Sequence, residues 1–186
     1  MSRVLVTYAS THGQTEKIAR RMADAIEACG QAVEVRPVAD GPDPSDFDAV
    51  AAGASIHAGK HQAEMTDWVK AHRDALAARP GAFFSVSLTA AEEDPTDREP
   101  ATRMLREFLA DVGWQPELSA TIPGALRYLE YDRFTRTVIR LMMKRGGHPD
   151  DASRDYEYTD WSSVDELARS LADLAVKRAG ATAEPR

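Results

Sequence analysis

The sequence predicts an α/β fold in which a mainly parallel sheet is covered by helices. Short apolar runs alternate along the chain with segments whose apolar residues recur every three or four positions, which is the pattern of βαβ units. The run Ala82-Phe83-Phe84-Ser85-Val86 is apolar almost throughout, as expected of a strand covered on both faces. With 186 residues, the chain is long enough for one domain with a full core and short for two.

The elements follow from this alternation. Five strands are predicted, at 4–8, 32–38, 48–54, 82–86 and 117–122. Helices are predicted across 13–29, 65–76 and 104–112, and a polar loop is expected over 87–100. A last helix begins at Ser162-Ser163, where Glu166 completes a Ser-x-x-Glu capping box.

These elements predict one domain over residues 1–178, with a flexible tail at 179–186. About forty residues between the fifth strand and the last helix are more than a minimal five-stranded wound sheet needs, and we place an insert at about 123–155. Residues 156–159 predict a short strand that resumes the sheet edge.

The composition excludes several classes of protein. A net charge of −7 argues against nucleic acid as a partner. The single cysteine, Cys29, excludes an internal disulfide and a cysteine-rich metal site, and we expect it to be buried as a small apolar residue. Because neither a secretory signal nor an apolar run of about 18 residues is visible, we expect a cytoplasmic location.

The first predicted strand leads into a polar loop that we interpret as a phosphate-binding site. The loop consists of Ser10, Thr11, His12, Gly13, Gln14 and Thr15. Free N–H groups at the start of the next helix point at whatever lies beyond the strand, the hydroxyls add donors, and Gly13 lets the backbone close around an anion. Because the loop holds no Lys or Arg, it favours a monophosphate held by neutral donors. The alternative is that the hydroxyls only cap the helix.

The segment after the third predicted strand allows several interpretations. Residues 54–61 fit a permissive nucleotide-binding pattern until the last position, where His61 replaces the required Ser or Thr. A nucleophile elbow would need a second glycine, and a metal held by His57, His61 and Glu64 would have no supporting cluster. We favour a planar ring attached to the phosphate, covered by Ile56 or His57.

The insert contains a basic amphipathic segment at 131–145. One side carries Phe134, Val138, Leu141 and Met142, and another carries Arg133, Arg136, Arg140 and Lys144. In an acidic protein this pattern predicts a helix that binds an anion or lies on a membrane surface, which allows peripheral contact with the inner face of the cell membrane. The alternative is a docked surface helix whose charges are solvated.

Several motifs together resemble one family. The segments STHGQT, ASIHAGKH, AFFSVSL, PGALRY, YDRF, KRGG and YTDW are similar to those of the flavodoxin-like, menaquinone-dependent protoporphyrinogen IX dehydrogenases. The resemblance runs from about residue 3 to residue 177, and it implies a flavodoxin-like sheet with strand order 2-1-3-4-5. His12 departs from the small hydroxyl residue usual at that place in flavodoxins, and the ring-covering aromatic residue of electron-carrier flavodoxins is missing from ASIHAGKH.

The resemblance also implies a cofactor and a site. Ser10, Thr11, His12, Gly13, Gln14 and Thr15 would hold the phosphate of FMN. One side of the isoalloxazine would be bordered by Ser55, Ile56, His57, Ala58 and Gly59, and the other by Ser87, Leu88, Thr89 and Ala90. Flavin chemistry then needs no catalytic acid or base from the protein and no metal.

The implied reaction is oxidation of protoporphyrinogen IX to protoporphyrin IX in haem biosynthesis, with electrons passed to a quinone. Substrate propionates would pair with Arg127, Arg133, Arg136, Arg140 and Lys144, while the apolar side of the insert meets the macrocycle, the quinone or the bilayer surface. A flavodoxin-type electron carrier without its own substrate is the alternative, and a binding module that has lost FMN is a second one.

Overall fold

A computed structural model of the chain describes residues 1–57, 59–92, 94–126, 151 and 153–183. The strands are β1 Arg3–Ala9, β2 Ala32–Pro37, β3 Ala49–His57, β4 Lys60–His61, β5 Gly81–Ser87, β6 Leu118–Pro123, β7 Ala125–Leu126 and β8 Tyr156–Glu157. The α-helices are α1 Gln14–Ala28, α2 Ala63–Ala71, α3 Arg73–Ala77, α4 Pro95–Val112 and α5 Trp161–Ala183. Short 3₁₀ turns lie at Val38–Asp40, Pro44–Asp46 and Thr89–Ala91.

The central sheet is parallel and has the order β2-β1-β3-β5-β6, while β4 pairs with the end of β3. Since β4 belongs to a hairpin beside the main path, the five long strands follow the order 2-1-3-4-5, and the predicted fold class is confirmed. The direction of winding reverses between β1 and β3, so their carboxyl ends open the crevice in which α/β sheets bind ligands.

Residues that alternate along each strand face opposite sides of the sheet. Val4 and Val6 pack with α1 and α5 on one side, whereas Leu5 packs with α2 and α4 on the other. In the same way Phe84 joins the first cluster and Phe83 the second. All seven residues of β5 are buried, which confirms the prediction of a strand covered on both faces.

The sheet leaves no space for a side chain at Gly53, where β3 pairs with β5. Gly53 lies opposite Phe84 in the register of these strands, and a Cβ at Gly53 would come within 2.0 Å of two atoms of the Phe84 ring. No real Cβ makes a contact that short, so the ring occupies the space that any other residue at 53 would need.

Two predicted boundaries are wrong. Strand β3 continues through His57 instead of ending at Ala54, because Ile56 and His57 pair with His61 and Lys60 in the hairpin. Helix α4 begins at Pro95, inside the segment predicted as loop over 87–100. The carboxylate of Asp94 accepts a hydrogen bond from Thr96 N at 2.7 Å, and proline is favoured at a first helical position.

The start of α5 is also corrected. Asp160, not a serine, caps the helix: its Oδ1 accepts hydrogen bonds from Ser162 N at 3.0 Å and Ser163 N at 3.4 Å. Both serine hydroxyls donate to the same carboxylate, and these bonds lower the pKa of Asp160 to about 2. The predicted capping box with Glu166 is therefore wrong. The helix continues through Ala183, past position 178.

Two further expectations are corrected. The predicted strand at 156–159 is shorter, and β8 pairs antiparallel with β7 in a separate two-stranded ribbon instead of extending the main sheet. Cys29 is exposed because it follows the last turn of α1, where the chain has left the buried face. Within the described ranges, no helix combines the length and apolar composition that crossing a bilayer requires. The predicted helix at 131–145 lies outside the described residues.

Candidate functional site

A cavity of about 180 Å³ opens at the carboxyl ends of β1, β3 and β5. Its lining includes Ser10, His12, Gln14, Thr15, Ser55, Ile56, His57, Val86, Ser87, Leu88, Gly124 and Ala125. The structure thus brings together residues from all three predicted loops. Thr11, Gly13, Gly59, Thr89 and Ala90 are not among the described lining residues, and Ala58 lies outside the description. The roles of these residues in cofactor binding stay predictions.

The first wall of the cavity is the loop that precedes α1. Gly13 adopts a left-handed conformation with φ 77°, which glycine reaches at little cost, and the helix begins at the next residue. The N-cap position is Gly13, which has no side chain with which to cap the helix.

Thr15 is the most telling residue of this wall. Its side chain is 1% exposed, and Oγ1 has no hydrogen-bond partner among the described residues. An unpaired buried hydroxyl costs about 1–3 kcal/mol, so proteins seldom retain one without a ligand or water to satisfy it. Because Thr15 lines the cavity at the head of α1, an uncharged donor is available where the helix dipole favours an anion.

Gln14 has a different local role from its neighbour. Its Nε2 donates to Thr159 Oγ1 at 2.8 Å, and that hydroxyl donates to Pro123 O at 2.7 Å. The side chain of Gln14 therefore ties the loop to the end of β6 and to the segment after β8. Thr159 was not predicted as a site residue, although it stands inside the YTDW motif.

The β3–β4 hairpin forms the second wall. Ser55 Oγ lies 3.2 Å from His57 Nε2, and the rings of His57 and His12 meet edge to face with centroids 5.6 Å apart. Burial, and after it the neighbouring His12, lowers the pKa of the His57 imidazole below its usual range. The ring of His57 is therefore neutral at neutral pH.

His61, four residues further on, lies away from this cavity. Its Nε2 lies 2.8 Å from Ser85 Oγ, and its ring packs against Phe108 at a centroid distance of 4.5 Å. Burial lowers the pKa of His61 to about 4. Across the described residues, no three His, Cys, Asp or Glu side chains form a group that could hold a metal ion.

The third wall is the turn after β5. Ser87 Oγ accepts a hydrogen bond from Ala90 N at 3.2 Å, and Ser87 O accepts one from Gly124 N at 3.0 Å. The second bond brings the segment between β6 and β7 beside the turn, which explains why Gly124 and Ala125 also line the cavity. Both residues stand inside the PGALRY motif, although neither was predicted as a site residue.

Comparisons with known proteins agree with this geometry. Residues 5–153 match a family model described as a flavodoxin domain. The chain is 35% identical over 178 residues to a protoporphyrinogen IX dehydrogenase [quinone] of Escherichia coli strain K12, which covers 94% of this chain and 97% of that protein. A Leishmania major protein of the same name is 36% identical over 178 residues, covering 91% of this chain and 74% of its own length.

Solved structures show the same fold. Oxidised flavodoxin 1 from Bacillus cereus superposes with a TM-score of 0.56 at 18% identity, covering 92% of this chain and 98% of its own. A flavodoxin from the domain Archaea gives a TM-score of 0.51 at 20% identity, covering 94% and 97%. Because the family model spans most of the sequence and relatives above 30% identity span nearly all of it, this chain belongs to the flavodoxin domain family, and that membership implies a flavin cofactor.

Proposed function

We propose that this protein is an enzyme that oxidises protoporphyrinogen IX to protoporphyrin IX and passes the electrons to a quinone. The observation that carries the proposal is the match of 35% identity over nearly the whole length of both chains to a protein named for this reaction. The flavodoxin structures match at only 18% and 20% identity. The enzyme is therefore favoured over an electron carrier without its own substrate.

We further propose that the flavin is FMN. A single phosphate suits a loop without Lys or Arg, in which donors are the helix amides and the buried hydroxyl of Thr15. When bound, FMN supplies the redox chemistry by accepting electrons from the substrate and releasing them to the acceptor. The chain's own residues bind and orient the reacting molecules.

The walls of the cavity are suited to binding and orienting a flat ring. The hairpin residues 55–57 and the turn that begins at Ser87 both line the cavity, and we assign them to the two sides of a flat ring. With the imidazole of His57 uncharged at neutral pH, the ring-binding part of the cavity presents no imidazolium at this position. The flavin is then held by neutral contacts, as its phosphate is.

The insert supplies the proposed contacts to the substrate. Arg127, Arg133, Arg136, Arg140 and Lys144 lie outside the described residues, and their assignment rests on sequence alone. We propose that they pair with the propionates of the porphyrinogen and bring the protein into peripheral contact with an anionic membrane surface, where a quinone is found.

An anaerobic assay tests the proposed activity. Purified protein is mixed with FMN, protoporphyrinogen and a menaquinone analogue, and porphyrin fluorescence is followed. We expect fluorescence to rise only when protein, FMN and quinone are all present. A yellow complex that yields no porphyrin would instead support the carrier, and a protein that stays colourless with FMN would support a module without the cofactor.

A second experiment tests the insert. The variant with Arg133→Gln, Arg136→Gln and Arg140→Gln should lose porphyrinogen turnover and binding to anionic vesicles, because three cationic partners are removed together. FMN affinity, which we assign to the loop at 10–15, should not change. Vesicles of zwitterionic lipid provide the control for charge. Unchanged turnover and vesicle binding would remove the insert from the mechanism.

A further inference from the structure

Gln62 connects three parts of the site, although no sequence motif points to it. It stands at the amino end of α2, where its carbonyl oxygen accepts hydrogen bonds from Met65 N at 3.2 Å and Thr66 N at 3.3 Å. Its side-chain Nε2 donates to Ser55 Oγ and, at 3.4 Å, to Thr11 Oγ1. The start of the helix therefore fixes the backbone of Gln62, and its amide reaches both the hairpin and the phosphate loop.

The amide has a preferred orientation. In the structure Nε2 has two hydroxyl partners, whereas Oε1 is buried and has none among the described residues. Rotating the amide by half a turn would move the two N–H donors to the position without partners. Buried unpaired N–H groups are rarer in proteins than under-satisfied carbonyl oxygens. Gln62 is therefore a donor toward Ser55.

That orientation determines the next hydrogen bond. Since Ser55 Oγ accepts from Gln62, its own proton can be given to a second acceptor, and His57 Nε2 lies 3.2 Å away. An imidazole that accepts at Nε2 while neutral must carry its proton on Nδ1. The three side chains can thus form a chain of hydrogen bonds with one direction, from Gln62 through Ser55 to His57.

The surroundings of His57 keep the ring neutral. Its ionisable neighbours in the structure are His12, with ring centroids 5.6 Å apart, and Lys60, its partner in the hairpin register. Neither group is an anion that would favour the imidazolium, and burial disfavours it as well. A neutral ring has only one N–H to present, so its tautomer decides what the site can recognise.

We propose that Gln62 is a positioning residue that selects the tautomer of His57, so that Nδ1–H is presented in the cavity as a donor to a carbonyl or imine acceptor of the bound ring. His57 lines the cavity, and its Nδ1 has no partner among the described residues. Only the identity of the bound ring rests on the proposed function. The tautomer itself is a property of the protein without ligand.

Nitrogen NMR of the flavin-free protein, labelled with ¹⁵N-histidine, tests the tautomer directly. We expect the Nδ1–H form of His57 in the wild type above the pKa of the ring. In Gln62→Glu, a carboxylate can only accept, so Ser55 donates to residue 62, and His57 should change to the Nε2–H form. The same tautomer in both proteins, or the Nε2–H form in the wild type, would overturn the proposal.

A Ser55→Ala background separates the effect of the hydrogen-bond chain from the effect of the negative charge that Gln62→Glu introduces. With Ser55→Ala, the link is cut, so adding Gln62→Glu should leave the tautomer of His57 unchanged, although the negative charge is still present. A tautomer change in this background would mean that Gln62 acts without Ser55, and the proposed chain would be wrong. Gln62→Met, which neither donates nor accepts at this position, should give a mixture of both tautomers.

Ligand affinity tests the role of the donor. Quenching of flavin fluorescence should show that Gln62→Glu binds both FMN and riboflavin about tenfold more weakly than the wild type, since one ring contact is lost in each case. A changed tautomer with unchanged affinity for both flavins would refute the donor role. A wild type that binds neither flavin would refute the proposed function, while the NMR result would still decide whether Gln62 selects the tautomer.

Discussion

The centre of the sheet and its carboxyl end are built from the same strands but differ in how completely they are filled. At the centre, the ring of Phe84 lies so close to Gly53 that a Cβ would be 2.0 Å from two of its atoms. At the carboxyl end, a cavity of about 180 Å³ remains, and a buried hydroxyl on its wall has no partner in the part of the chain that the structure describes. The difference shows where the chain maximises packing and where it retains binding capacity.

Two buried threonines make the comparison sharper. Thr7 lies within β1 and is 0% exposed, and Thr15 is 1% exposed on the wall of the cavity. Neither hydroxyl has a hydrogen-bond partner among the described residues. Only Thr15 lines the cavity, so the two residues share their burial and differ in their access to a ligand.

The largest effect is expected at the centre of the sheet. Gly53→Ala should lower the free energy of unfolding by more than about 3 kcal/mol, because the new methyl group overlaps the Phe84 ring and the adjacent strands cannot separate. Denaturation by urea measures this change in the free energy of unfolding. Gly180→Ala is the control, since no heavy atom lies within 4 Å of its Cβ and alanine favours the helix. Equal stability of both variants would contradict the packing difference.

The second effect is a loss of stability in acid that comes from His61. Its pKa of about 4 in the folded protein lies below the ordinary 6.5, so between these pH values the unfolded chain binds the proton more tightly. The contribution of His61 to the free energy of unfolding is fully present above pH 6.5, and about 3 kcal/mol of it is lost as the pH falls to 4. Denaturation of wild type and His61→Gln at several pH values isolates this contribution, because the variant cannot titrate there. Parallel pH profiles would contradict the prediction.

The next effect is expected at Thr15, and Thr7 serves as its comparison. Thr15→Val should weaken FMN binding about tenfold through loss of one donor, yet raise the stability of the flavin-free protein by up to about 1 kcal/mol through removal of an unpaired buried hydroxyl. Thr7→Val should produce the same gain in stability with no change in FMN affinity. Riboflavin, which lacks the phosphate, should bind Thr15→Val and wild type equally. Weaker riboflavin binding would place the Thr15 contact at the ring.

The smallest effect is expected in the loop before α1. Gly13→Ala should lower stability by about 1 kcal/mol, since φ is 77° and alanine disfavours that conformation, although no atom obstructs its Cβ. Gly13→Asn should cost less, because asparagine tolerates the left-handed region. Thermal unfolding of the three proteins measures the order. A larger loss for asparagine than for alanine would show that space, not backbone conformation, limits this position.

The sequence predicted what depends on periodicity. The alternation of strands and helices and the buried strand at 82–86 follow from repeating apolar patterns that the sheet enforces, whereas the strand order was implied by the family resemblance. The helix starts at 95 and 161 were missed because several neighbouring residues are suitable N-caps or first helical residues. The sequence alone does not show that Asp94 and Asp160 are the ones that cap. The prediction that β3 ends at Ala54 was wrong because pairing with β4, not local composition, extends it.

The site was predictable to the extent that its residues lie at the ends of strands. Residues 10–15, 55–57 and 87–88 follow or end strands whose positions were predicted, so their clustering could be anticipated. Gln62 could not be found in this way, because its contacts to Thr11 and Ser55 depend on where α2 begins in space. Thr159 acts across 145 residues of sequence, a distance at which local patterns carry no signal.

The small β7–β8 ribbon has a consequence for how this fold diversifies. Leu126 pairs with Tyr156, so two points far apart in sequence are held side by side by backbone hydrogen bonds, and the Thr159 hydroxyl adds a bond to Pro123 O. A segment that joins two paired strands can be lengthened, shortened or exchanged at little cost in loop-closure entropy. The residues between β7 and β8 can thus change while the parallel sheet and the cavity at its carboxyl end stay as they are.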